Sequence, residues 1–419
     1  MAFYYALRYD ITATCLSPMR SADAGSTAES LLQYKDGAPF LQAASIAGAL
    51  RAWLEADKGA EAATTLFGSP HHTSTLIVSD GVFDKESLQA TRPRLKIDEK
   101  TKTADAKNHA KFDITAMVTG SIFRFTLLWT GNTAEESRWT QEQIERVLSA
   151  LNSGEIMLGA NKTNGYGRVS IQGNKQEYNM KNAPDREAWL SRAPAATPFS
   201  PYHITSDTYV IFTVTVSFPN VLTKGMAVRQ NSGNSFAENM SENGKYLLSG
   251  ATVKGAIRAH IYNIATNIFS LPRSYLNQLF GANEQTELAG KALFSDAHLD
   301  TTQPPKTISR IRIDRFSGNV MHLFSEQPLS ADTKITIRVP KEDAIACGLI
   351  LFALRDMGLN LLSFGSGYSV GRGYGAVKEI VASNPDFEDV RLTFDNGATV
   401  VSGQPTLNQW LEAIKGGVQ

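Results

Sequence analysis

The chain has 419 residues, enough for two or three domains that each bury a core. Lys and Arg together number 41, and so do Asp and Glu, so the net charge is zero; this argues against a surface that grips a polyanion everywhere and leaves local patches to be read separately. Two cysteines, Cys15 and Cys347, without a CxxC pair, argue against a disulfide scaffold or a zinc knuckle. No apolar run reaches the roughly 18 residues of a membrane span, and "MAFYYALRYDITATC" lacks the basic region and apolar core of a signal peptide. A cytoplasmic, soluble protein without membrane contact is the expectation.

In chain order, "YYALRYDITAT" (residues 4–14) alternates apolar and polar residues and predicts a strand. A long polar loop follows. Ile46, Leu50, Trp53 and Leu54 then fall on one face of a predicted helix, with Ser45 near its capping position. "RLKID" (residues 94–98) has period two and runs through a protrusion into the strand "SIFRFTLLWT". "TQEQIERVLSALNSG" predicts a second helix, and "LGANKTNGYGRV" leads into a last strand.

Five segments of this series return in the same order further on. "SIAGALRAWL" (45–54) matches "TVKGAIRAHI" (252–261), "TLFG" matches "QLFG", and "VSDGVF" (78–83) matches "FSDAHL" (294–299). "RLKIDEKT" (94–101) matches "RIRIDRFS" (310–317), and "NGYGRVSI" (164–171) matches "RGYGAVKEI" (372–380). A conserved order among five matches is the mark of a repeat. The three prolines of "SRAPAATPFSPYH" (191–203) read as a linker. Each half therefore runs strand, helix, strand, strand, helix, strand, an α+β arrangement of ferredoxin-like or RNA-recognition-motif type. The expected domains are 1–190 and 205–385, with 191–204 as linker and 386–419 as a C-terminal hairpin and helix appendage.

"FGSGYSVGRGYGAV" (364–377) carries five glycines, yet it follows a helix and precedes a strand. A dinucleotide fingerprint needs the reverse order, strand into helix, so a nucleotide cofactor is not expected. "GATVKG" (250–255) lacks the Gly-Lys-Ser/Thr ending of a phosphate loop. What "SGAT" does offer is the start of a helix, where free N–H groups and Lys254 suit a phosphate; the first half has Ala47 instead of that lysine, so its grip is expected to be weaker or borrowed from Arg51 or the preceding loop. Residues 91–111 hold seven basic side chains, Arg92, Arg94, Lys96, Lys100, Lys102, Lys107 and Lys111, against Asp98, Glu99 and Asp105. They read either as a basic hairpin that reaches over a nucleic-acid backbone or as an ordinary solvated hairpin. The matching segment has Arg310, Arg312 and Arg315, with Met321, Leu323 or Phe324 as candidate wedges. Tyr166 and Tyr374 either stack on bases or pack inside the fold, and Arg372 either touches a strand of RNA or holds its loop. Ser45, Thr252, Arg168 and Arg258 complete the candidate RNA contacts. Trp53, Trp139, His71 and His72 read as packing or ordinary polar residues.

The helix opening "LLSGATVKGAIRAHI" with the glycine loop and last strand, written twice, resembles the RAMP superfamily of CRISPR-associated proteins. More closely it resembles the RNA-binding backbone subunits of type III effector complexes, here two fused as in subtype-D-like complexes. The resemblance implies binding of a CRISPR guide RNA and its target RNA in an antiviral ribonucleoprotein, beside other RAMP-type and large subunits. It implies a thumb hairpin that leans across the guide, with Arg20, Lys224 and Arg229 as further backbone contacts. It also implies that a loop aspartate after the first strand cleaves target RNA. Asp23 is the candidate in the first half, no firm cofactor is implied, and a divalent metal would serve only that cleavage. The second loop, 219–246, has no aspartate, its counted position falling near Asn234, so no cleavage is expected there. A metal-independent endoribonuclease that processes repeat transcripts is the alternative reading, and a tandem ferredoxin-like protein binding another protein or a metabolite is the third.

Overall fold

The computed structural model describes residues 3–21, 31–95, 97, 111–205, 207–223, 228–229, 235–282, 289–395 and 397–417. The chain divides into two compact units. The first comprises Met1–Thr91, Asp113–Lys162 and Tyr166–Thr205; the second comprises Ser206–Gln419 together with Arg92–Phe112 and Thr163–Gly165.

In the first unit, the strand Tyr5–Cys15 lies at the centre of an antiparallel sheet, flanked by Ile122–Gly131 and Val169–Asn179. Its alternation buries Leu7, Tyr9, Ile11, Ala13 and Cys15 on one face. Helix Ala43–Lys58 covers that face with Ile46, Leu50 and Leu54, and helix Ala134–Ser153 with Ile144, Val147, Leu148 and Leu151. Each such side chain contributes roughly 1.5–3 kcal/mol by leaving water. The second helix starts on a capping box, Thr133 with Glu136, and stops at Gly154, whose left-handed backbone closes the last turn.

The second unit repeats this plan. Strand Tyr209–Val221 is central between Leu329–Pro340 and Ala376–Asn384, all antiparallel. Helices Gly250–Asn267 and Ala344–Gly358 cover it through Val253, Ile257, Ile261, Ile350 and Leu354. The hairpin of Phe387–Phe394 and Ala398–Ser402 extends the same sheet, and helix Gln404–Gly416 buries Leu407, Trp410 and Ile414. Gly348 admits that helix, since a Cβ there would meet Ile414 Cδ1 at 2.5 Å. Both units are ferredoxin-like, with strand order and antiparallel pairing of that fold.

Two elements differ from expectation. The second strand of each core sheet is a short piece, Gly81–Phe83 or Leu293–Phe294, and not the alternating segment that follows it. Ile308–Ile313 instead pairs with Val320–Glu326 in a separate four-stranded sheet, and all six of its residues are exposed. Period two decides which side chains share a face; whether a face is buried depends on what packs on it, and among the described residues no helix covers this one. The expected linker also holds a strand, Thr197–Phe199, paired with Val169–Asn179. Pro198 is tolerated there at a sheet edge, and Phe199 is buried edge-on against Tyr9, with ring centroids 5.6 Å apart.

Candidate nucleic-acid interface

The glycine loops are clamps on the segment that leaves each central strand. In the first unit, Gly167 N–H donates to Pro18 O (2.9 Å), Leu158 N–H to Gly167 O (2.9 Å) and Ala160 N–H to Arg20 O (2.9 Å). In the second, Gly373 N–H donates to Asn220 O (2.7 Å), Phe364 N–H to Gly373 O (2.9 Å) and Ser366 N–H to Leu222 O (2.8 Å). Gly167 and Gly373 adopt φ of 92° and 77°, and a Cβ on either would lie 2.1 Å from Leu158 O or 2.0 Å from Phe364 O. Only glycine meets both demands.

These bonds correct the register of the repeat. Gly165-Tyr166-Gly167 corresponds to Gly371-Arg372-Gly373, not to the second Gly-Tyr-Gly triplet, because the left-handed pair flanking a short helical turn recurs there while Gly375 has no left-handed backbone. The two residues between the glycines are both buried. Tyr166 is fully covered, so it is not a stacking platform. Arg372 is 3% exposed and pairs with Glu326, which also accepts from Arg310 at 2.9 Å. Arg372 therefore holds its loop. Tyr374 is half-buried, and Arg168 lies beside Gly154 with its backbone N–H donating to Ser17 Oγ at 2.9 Å.

The helix starts differ from their sequence reading as well. The capping positions are Gln42 and Ser249, with Ser45 and Thr252 inside the first turn. Asp80 Oδ1 accepts from Ala43 N–H at 2.7 Å, and Asp296 Oδ1 from Gly250 N–H at 2.7 Å. The repeated Ser-Asp of "VSDGVF" and "FSDAHL" thus supplies an internal carboxylate where a phosphate was expected, a role that the matched segments carried without revealing it. Arg92 belongs to the same place in the second unit. It is 4% exposed and bonded to Asp296 (2.6 Å) and Glu242, so it is a buried ion-pair residue and not an RNA contact. Lys254 Nζ donates to Thr163 Oγ1 at 3.0 Å; burial pushes its pKa down to about 8, with Arg258 and Arg94 adding repulsion. Lys254 stays largely cationic at neutral pH, but it is sequestered. Arg258 lies over the Tyr262 ring, 5.2 Å from its centroid, and Arg51 pairs with Glu55 at 3.9 Å.

Among the described residues, the ribbon of Ile308–Ile313 and Val320–Glu326 is a basic feature that faces solvent. Arg310 and Arg312 share one face with Phe324, and Ile311 with Leu323 shares the other. Arg312 and Arg315 are exposed and Arg310 is tethered by Glu326. At the turn, Asp314 Oδ1 accepts from Phe316 N–H (2.9 Å) and Ser317 N–H (2.7 Å), bonds that hold its carboxyl below the usual range, led by the one from Ser317. The turn leaves Phe316 entirely exposed, an aromatic that the sequence reading did not single out; of the candidate wedges, Met321 is 58% exposed, while Leu323 and Phe324 are partly buried. Asp23, Lys96, Lys100, Lys102, Lys107, Lys224 and the side chain of Arg229 lie outside the described residues. Among the described residues no three His, Cys, Asp or Glu side chains gather as a metal would require, and no helix is long and apolar enough to cross a membrane.

The family model of the RAMP superfamily matches residues 12–170 and again 199–378. No curated protein matches the chain.

Proposed function

The chain belongs to the RAMP superfamily, whose members are generally CRISPR-associated and RNA-binding, and on that premise we propose that it is a guide-RNA-binding backbone subunit of a type III CRISPR effector. The observation that carries the reading is the 308–326 ribbon, which presents Arg310, Arg312, Arg315 and Phe316 to solvent in a chain of zero net charge. Arginines meet phosphates and an exposed ring stacks on a base, while guide pairing supplies sequence choice. The glycine clamps support this by fixing where the loops after the central strands begin, with Arg20 in the first. The two domains would hold successive stretches of a guide and its target RNA beside other RAMP-type and large subunits, in the cytoplasm. Asp23 is the proposed cleavage carboxylate, in the first unit alone, because the 219–246 loop contains no aspartate.

The test is to purify the chain with the subunits encoded beside it and to run the bound nucleic acid on a denaturing gel. RNAs of discrete lengths separated by a fixed step are expected; an assembled complex without RNA sinks the proposal. Asp23→Ala should lose one target cut and retain guide, and unchanged cleavage removes Asp23 from the site.

A further inference from the structure

Thr163–Gly165, the end of the short helical turn in the first glycine loop, belongs to the second compact unit. Its seat is the start of helix Gly250–Asn267. Lys254 donates to the Thr163 hydroxyl, and a Cβ on Gly250 would meet Asn164 O at 2.6 Å and Phe294 O at 2.1 Å. Gly165 is held as closely, since a Cβ there would meet Phe294 O at 2.6 Å and Ser295 Cα at 2.7 Å. The seat therefore needs glycine at the first helical position and lysine four residues on, and the inserted turn needs a hydroxyl and a glycine.

The second glycine loop carries the same turn. Tyr368–Val370 is again a single helical turn, Ser369 stands where Thr163 stands and keeps the hydroxyl, and Gly371 repeats Gly165 with φ of 77° against 81°. Among the described residues nothing lies within 4 Å of a Cβ position on Gly371, and Tyr368 and Val370 are 56% and 52% exposed. The positive φ explains the glycine by itself; the retained hydroxyl and the exposed apolar pair are what a turn without a seat would show. The seat, by contrast, is not repeated. The bonds from Ala43 N–H to Asp80 and from Gly250 N–H to Asp296 fix Ala43 as the counterpart of Gly250, and Ala47 then stands for Lys254.

Resting on the effector-subunit reading above, we infer that the 368–371 turn is a docking plug for a different RAMP chain whose first helix opens Gly-x-x-x-Lys. A second copy of this chain is not its partner, because the methyl of Ala43 fills the space that the plug's backbone would take and Ala47 has no amino group to offer Ser369. The assembly interface is thus directional and heterologous, and it does not propagate through copies of this chain.

Light scattering of the full chain tests the geometry without the partner. The wild type should run as a 45.7 kDa monomer at micromolar concentration. An Ala43→Gly/Ala47→Lys variant should form concentration-dependent oligomers, and adding Tyr368→Asp and Val370→Asp should return it to monomer. A seat variant that stays monomeric overturns the plug, and wild-type oligomers dispersed by the two aspartates overturn the exclusion of self. In complexes co-expressed with the neighbouring RAMP subunits, Tyr368→Asp/Val370→Asp should lose one neighbour and shorten the protected RNA by one step. An unchanged subunit set and RNA ladder overturn the plug, whereas a wild-type complex that has no RNA but loses its neighbour on mutation supports the plug and refutes only the RNA-binding reading.

Discussion

Replacing Arg312 and Arg315 together by alanine removes two exposed guanidinium groups from the ribbon while leaving the buried Arg372–Glu326 pair and the Arg310 tether in place. If each neutralises one phosphate of single-stranded RNA, the slope of log affinity against log salt should flatten by about 1.4, two contacts at about 0.7 each. Extrapolated from molar salt, that is about a tenfold weaker complex at physiological ionic strength. Fluorescence polarisation with a labelled guide RNA, repeated at four salt concentrations, reads slope and affinity together. Because neither side chain is buried, the melting temperature should stay where it is, which separates lost contact from lost fold. Arg310→Ala alone should flatten the slope less, because Glu326 already takes part of its charge. An unchanged slope in the double variant would refute the assignment of the ribbon to the RNA backbone.

Other consequences concern the scaffold. Arg92→Met leaves Glu242 and Asp296 buried without their shared cation and should cost about 3–5 kcal/mol, read as a lowered unfolding midpoint; a midpoint within error of wild type would show that the pair is dispensable. Gly373→Ala forces a Cβ into a left-handed residue 2.0 Å from Phe364 O and should cost at least about 2 kcal/mol, with faster amide exchange at Gly373 and Ser366; unchanged exchange would contradict the clamp. Lys254 is depressed from 10.5 to about 8 in the folded chain, so the unfolded chain binds more protons between those values and wild-type stability rises with pH across that window. Relative to Lys254→Met, the wild type should therefore gain up to about 3 kcal/mol between neutral pH and pH 10.5 in denaturant titrations; a constant difference would mean that the amine is not buried as a cation.

The sequence by itself determined the duplicated plan, the order of its long elements and the placement of the glycine loops between a helix and a last strand. All of these rest on local periodicity and on segments recurring in order, which a chain displays without folding. Leu7, Tyr9 and Ile11 declare their shared face by spacing alone, as do Val253, Ile257 and Ile261. Only the tertiary structure decided which glycines correspond, because two Gly-Tyr-Gly triplets look alike until backbone φ and the bonds to Pro18 and Asn220 distinguish them. It also turned Arg92 and Arg372 from surface candidates into buried partners of Glu242, Asp296 and Glu326, residues far away along the chain. An arginine that faces RNA and one that faces a buried carboxylate have the same local sequence signature. The alternating segment at 308–313 shows the same limit from the other side: its pattern specifies two faces, and only the absence of a covering helix among the described residues leaves both of them exposed.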